Sequence, residues 1–141
     1  MTGDTIATRS AVTGIDHVAI TVADIDETCA FYTRVLDADV FMDHKIDGRT
    51  AVRGIRIGGA MLNVHRQGNG IDLVARLPTP GSADLCFRWG GDIASAKAML
   101  AEAGVPLREG PVPRTSSRGV RGQSVYFLDP DGNLIELLAE D

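Results

Sequence analysis

Residues 15–36 read IDHVAITVADIDETCAFYTRVL, and SADLCFRWGGDIASAKAMLAEAG at 82–104 repeats their pattern over a similar length. Each stretch is a short alternating strand followed by an amphipathic helix, and each continues into Gly-punctuated sequence with β-type alternation. The chain therefore reads as one supersecondary unit used twice, with modules at about 15–67 and 82–141 in a single domain. In the first copy Val18, Ile20 and Val22 alternate with His17, Ala19 and Thr21, so the two sets face opposite sides of a strand. Asp24 stands where a helix N-cap belongs, and Glu27 three positions on completes a capping-box pattern. Ile25, Cys29, Tyr32 and Leu36 recur at helical spacing and form the face expected to be covered.

Further strands are expected near Val40–Phe41, Arg49–Ile57 and Ala60–Arg66, with Gly58-Gly59 as a hairpin turn. The polar, Pro-containing stretch QGNGIDLVARLPTPGS at 67–82 reads as a linker between the modules. In the second copy a strand is expected at Asp84–Trp89 and a helix from near Asp92, with Gly104 as its C′ residue. GPVPRTSSRGVRG at 110–122 reads as a loop, followed by a strand at Ser124–Leu128. DPDGN (Asp129 to Asn133) is a tight turn into a final strand, Leu134–Leu138. Residues 1–14 read as a loose tail. There is no Gly-rich phosphate loop and no low-complexity segment.

Composition excludes several function classes. An apolar fraction of 44% suits a globular protein, and no apolar run approaches a bilayer span or a signal peptide. A net charge of −5 argues against general affinity for nucleic acid or an anionic membrane. Cys29 and Cys86 lie inside expected elements with no paired-loop spacing, which suits a reducing, cytoplasmic setting; both read as small buried hydrophobes.

The chain has three histidines, so their placement is informative. His17 alternates away from the helix-facing side of its strand. Met61, Asn63 and His65 share a face opposite Leu62 and Val64, and Glu136 points oppositely to Ile135 and Leu137. Asp84 falls on the same kind of face, because Leu85 and Phe87 take the helix side. Two imidazoles and a carboxylate form a donor set used by divalent Fe, Mn, Ni, Co or Zn with positions left open for a substrate. Spacing leaves two readings open, convergence on an ion or structural histidines beside a solvated glutamate. Arg114, Arg118 and Arg121 cluster in one polar segment as candidate contacts to a substrate carboxylate or phosphate, with a solvated loop as the alternative. Tyr126 is expected on the face of Glu136, as a hydrogen-bond donor or as packing. His44 reads as a surface residue and Trp89 as a core or interface anchor.

DHVAITVADIDETCAFYTRVL (16–36) resembles the opening strand and helix of the vicinal-oxygen-chelate superfamily, and VYFLDPDGNLIELL (125–138) its closing hairpin. The resemblance covers nearly everything from Gly14 onward. It implies an α+β fold of two tandem βαβββ modules forming a curved, glyoxalase-like sheet, paired across a homodimer with each metal site built from both chains. It places His17 at the first metal position and Glu136 at the last. His65 falls where glyoxalase I-type members usually have a carboxylate ligand, and Asp84 where many members have a histidine. LNVH (62–65), PTPGSADLCF (78–87) and GPVPRT (110–115) are similar to the glyoxalase-domain-containing-protein-5 group, whose bacterial members are often labelled virulence proteins.

The expectation is therefore a metal-dependent enzyme acting on a small oxygen-chelating substrate, with lyase or isomerase chemistry ahead of ring-cleavage dioxygenase chemistry. One divalent ion per site would be held by His17, His65 and Glu136. Glu136 would double as the proton carrier, and Asp84 would be a fourth ligand or a partner orienting a histidine. Asp84 weakens the dioxygenase and fosfomycin-transferase readings, which the resemblance associates with histidine there. The rival expectation is a non-catalytic binding module like the bleomycin-resistance members. An aromatic content of 5% is sparse for the stacking cleft such a module uses.

Overall fold

The structure, a computed structural model, describes residues 9–141. The expected tail at 1–14 lies partly outside these residues; from 9 to 14 the chain has no helix or strand. The strand-helix units form as their patterns dictate. β1 spans Val18–Val22, and the Asp24 side chain caps α1 (Ile25–Leu36) by accepting from the Glu27 amide at 3.0 Å. Ile25, Cys29 and Tyr32 are buried on the inner face of α1, joined by Thr28 and Val35. β2 (Asp39–Ile46), β3 (Arg49–Ile57) and β4 (Ala60–Arg66) complete the first module. β2 is longer than the expected Val40–Phe41 and carries the exposed His44.

The second module repeats the order with β5 (Asp84–Trp89), α2 (Ile93–Glu102), β6 (Glu109–Thr115), β7 (Arg121–Leu128) and β8 (Leu134–Glu140). Asp92 caps α2 through the Ser95 amide, and Gly104 follows the C-cap at a φ of 72°. Two expectations fail here. The stretch from Gly110 is the body of β6 rather than a loop, and β7 begins at Arg121 rather than Ser124. β6 is the edge strand of its sheet, and an edge tolerates the missing amides of Pro111 and Pro113.

The sheets have matching strand orders, β1-β4-β3-β2 and β5-β8-β7-β6, each with its first pair parallel and the rest antiparallel. The fold is thus α+β, two tandem βαβββ-like modules. One apolar core spans both, from Ile20, Ile55 and Val64 to Leu100, Phe127 and Leu137. No helix among the described residues is long and apolar enough to cross a membrane.

A buried polar junction ties the modules together. Tyr32 Oη donates to Asp129 Oδ2 at 2.7 Å, while Asp129 Oδ1 accepts from the amides of Asp131 (3.0 Å) and Asn133 (2.9 Å). Asn133 Oδ1 in turn accepts from the Ala83 amide at 2.8 Å, immediately before β5. The DPDGN turn therefore sets the starts of β5 and β8 from one point anchored on α1. Burial and the Asp129 charge push the Tyr32 hydroxyl far above its ordinary value, so it stays a donor.

Candidate functional site

The two sheets carry two separate groups of candidate residues. On the first, His17 immediately precedes β1 and His65 lies on β4, paired with Thr21. His17 Nδ1 sits 2.9 Å from Asp16 Oδ2. An ionised carboxylate only accepts, so Nδ1 carries the proton and Nε2 keeps a lone pair. His65 is half-buried, and burial first, then the proximity of His17, lower its tendency to protonate. Its Nδ1 lies 3.3 Å from Nδ2 of the buried Asn69.

On the second sheet, Glu136 occupies β8 between Cys86 on β5 and Tyr126 on β7, its direct cross-strand partners. The fully buried Ser124 donates its hydroxyl to Glu136 Oε2 at 2.6 Å, leaving Oε1 for another partner. Arg114 Nε donates to Tyr126 Oη at 2.7 Å, with the guanidinium 5.4 Å from the ring centre. Burial raises the Tyr126 hydroxyl and outweighs the lowering effect of Arg114. Cys86, Arg114, Tyr126 and Glu136 line a cleft of about 970 Å³ that also takes in Trp89 and Met99. A second cleft of about 590 Å³ is lined by Ala19, Thr21, His65, Asp84 and apolar linker residues including Leu73 and Leu77.

Of the candidate arginines, Arg114 alone lines the Glu136 cleft. Arg118 is held by Glu140, whose other partner is the Ser116 hydroxyl at 2.5 Å, and Arg121 is an exposed residue at the start of β7. Asp84 is exposed at the start of β5. Trp89 packs partly buried against the core and donates Nε1 to Ser95 Oγ at 2.8 Å. Cys29 is buried as expected, but Cys86 is exposed and not a core residue. It alternates with Leu85 and Phe87 and so points away from the helix. Local burial and the Glu136 charge push its thiol up to about 12, so it is neither a thiolate nucleophile nor a ready ligand.

Among the described residues no three His, Cys, Asp or Glu side chains of one chain are close enough to share an ion. The imidazole pair and Glu136 thus sit on different sheets as two partial donor sets. Strand register also refines the repeat. Val18, Ile20 and Val22 face the core as Leu85, Phe87 and Trp89 do, and Val18 pairs with Leu62 as Leu85 does with Ile135, so Ala19–Asn63 corresponds to Cys86–Glu136. Asn63, not His65, is therefore the residue in the first module equivalent to Glu136, and His65 lies one pleat further along. Sequence reasoning did not single out Asn63, Asn69 or Ser124 as site residues, and it read Cys86 as buried. Alternation carried a usable signal for Ser124, a polar residue two positions before Tyr126 on the same strand, and for Cys86, two positions after Asp84.

The comparisons with known proteins agree with this architecture. Virulence protein STM3117 of Salmonella typhimurium is 39% identical over 87% of this chain and 81% of its own length. Its crystal structure superposes with a TM-score of 0.82 at 36% identity, covering 94% of this chain and 100% of that one. Glyoxalase domain-containing protein RDO1 of Mycosarcoma maydis is 41% identical over 90% of this chain and 68% of its own. Metallothiol transferase FosB of Shouchella clausii is 27% identical over 89% of this chain and 80% of its own. The antibiotic binding protein TnmS3 of Streptomyces sp. CB03234 superposes with a TM-score of 0.70 at 25% identity, over 94% of this chain and 100% of its own. Residues 14–137 match the family model described as Glyoxalase/Bleomycin resistance protein/Dioxygenase superfamily, and the chain belongs to that superfamily, close to its virulence-protein and glyoxalase-domain group.

Proposed function

We propose that this chain is a cytoplasmic, homodimeric, metal-dependent enzyme acting on a small oxygen-chelating substrate by lyase- or isomerase-type chemistry. The observation that carries this reading is the pair of partial donor sets on matching sheets, each too small to hold an ion alone. A second copy would complete the site, with His17 and His65 facing Glu136 of the partner subunit, while Asp84 lines the smaller cleft with His65 of its own chain. The donor chemistry fits a divalent Fe, Mn, Ni, Co or Zn ion: His17 offers a free Nε2 beside an Asp16-bound Nδ1, and Glu136 a free Oε1 beside a Ser124-bound Oε2. Such an ion would polarise the substrate oxygens.

The chain's own groups supply the remaining functions. Glu136 is the candidate proton carrier, because its carboxylate lines the larger cleft with Oε2 held by Ser124 and Oε1 free. Tyr126, with Arg114 at its oxygen, offers a hydroxyl donor beside it, and the Arg114 guanidinium suits an anionic substrate group. The similarity to a metallothiol transferase supports an enzyme. The likeness to an antibiotic binding protein over 94% of the chain favours a second reading, a small-molecule binder without turnover. Metal uptake separates the two. Protein purified without added metal should bind one divalent ion per chain at micromolar levels, and His17→Ala or Glu136→Ala should abolish it. A binder that needs no metal would take up none in any form.

A further inference from the structure

The two imidazoles of the first sheet are held in opposite tautomers. His17 directs Nδ1 at the Asp16 carboxylate, which can only accept. His65 directs Nδ1 at the Asn69 side chain, and the orientation of that amide is fixed by two other partners. Asn69 Oδ1 accepts from the Ile71 amide at 3.0 Å, and Nδ2 donates to the Ala51 carbonyl at 3.0 Å. The second hydrogen of Nδ2 then points at His65 Nδ1, which must accept it and so carries no proton. In a neutral imidazole the proton therefore sits on Nε2. His17 presents a lone pair at Nε2, whereas His65 presents an N–H.

Two further observations agree. The register makes Asn63 rather than His65 the counterpart of Glu136, so the repeat does not place His65 at a ligand position. His65 also lines the smaller cleft, together with polar Thr21 and Asp84 and apolar Leu73 and Leu77. A hydrogen-bond donor there fits a ligand with an apolar body and an oxygen acceptor.

We infer that His65 is a substrate-binding donor, giving its Nε2–H to a carbonyl or anionic oxygen, and that His17 alone of the two imidazoles offers a lone pair to the ion. Asn69 is the positioning residue that sets this division. The part concerning the ion rests on the metal reading above; the tautomers do not.

Long-range proton–nitrogen correlation spectra of uniformly ¹⁵N-labelled, metal-free protein read both tautomers directly. The expected result is an Nε2–H form for His65 and an Nδ1–H form for His17; an Nδ1–H form of His65 would overturn the inference. In Asn69→Asp a carboxylate replaces the donor, and Nδ1 of His65 should gain a proton; an unchanged His65 signal would remove Asn69 from its role. Zinc alone is then titrated. It should shift His17 and leave the Nε2 proton of His65 in place, and coordination at His65 Nε2 would overturn the assignment. His17→Ala should weaken zinc binding at least about a hundredfold and His65→Ala by no more than about threefold. If zinc binds nowhere, the metal reading falls, and the metal-free spectrum still decides for or against the His65 donor.

Discussion

The hydroxyl of Ser124 on β7 donates a 2.6 Å hydrogen bond to Oε2 of Glu136 on the neighbouring strand β8. The two are diagonal rather than direct partners, since Ser124 pairs with Leu138 and Tyr126 with Glu136. Ser124 is fully buried, so its hydroxyl has no solvent partner and fixes one carboxylate oxygen while the other stays free. Ser124→Ala should leave the fold intact and weaken divalent-metal affinity roughly tenfold, as losing a residue that orients a ligand does. Calorimetric titration of metal into both proteins checks this; equal affinities would detach Ser124 from the site.

Cys86 reports on the charge of Glu136. Its thiol is pushed up to about 12 from a reference value of 9.0, by burial first and by the Glu136 charge second. At neutral pH the thiolate fraction falls about a thousandfold, partly offset by higher intrinsic nucleophilicity, so alkylation should run on the order of fiftyfold slower than for a free thiol. Glu136→Gln should speed it. Cys29 is buried, so single labelling followed by mass spectrometry reads Cys86 alone.

Tyr32 and Asp129 form the buried hydrogen bond joining the modules. Tyr32→Phe keeps the ring but removes a donor to a charged acceptor, which should cost about 2 kcal/mol and lower the melting temperature by about 7 °C. Thermal unfolding followed by circular dichroism measures it. No change would mean that the turn holds β5 and β8 without α1.

Strand and helix positions were legible where periodicity and caps agree, as at Val18–Val22 with Asp24, or at Asp92 and Gly104. β6 was not, because Gly110, Pro111 and Pro113 are turn-forming residues and only the sheet order reveals an edge strand that accepts them. Alternation placed Glu136 and Tyr126 on one face, and they are cross-strand partners. It also put Cys86 on the face of Asp84, yet residue type suggested burial, and the face proved the better guide. The position of His65 relative to Asn63 depends on which strand pairs where, and the tautomers depend on Asn69; neither relation has a sequence period.

Glu140 is held by the Arg118 guanidinium and the Ser116 hydroxyl, which bring its carboxyl down to about 2 from a reference of 4.5. A depressed folded value contributes stability that is fully present above the unfolded value and is lost as pH falls through the folded one. The melting-temperature difference between wild type and Glu140→Gln should therefore be constant above about pH 5 and shrink toward zero by about pH 2. A difference that is flat across this range would contradict the ion pair.

If one metal site draws on two chains, mixing subunits with complementary defects restores it. His17→Ala and Glu136→Ala proteins, each metal-poor as homodimers, are differently tagged, exchanged and purified as a mixed dimer. In a shared-site dimer one of its two sites pairs an intact His17 with an intact Glu136 of the partner subunit. The mixed dimer should therefore regain wild-type metal affinity at half the wild-type stoichiometry. A mixed dimer as metal-poor as both parents would mean that His17 and Glu136 of different chains do not share an ion.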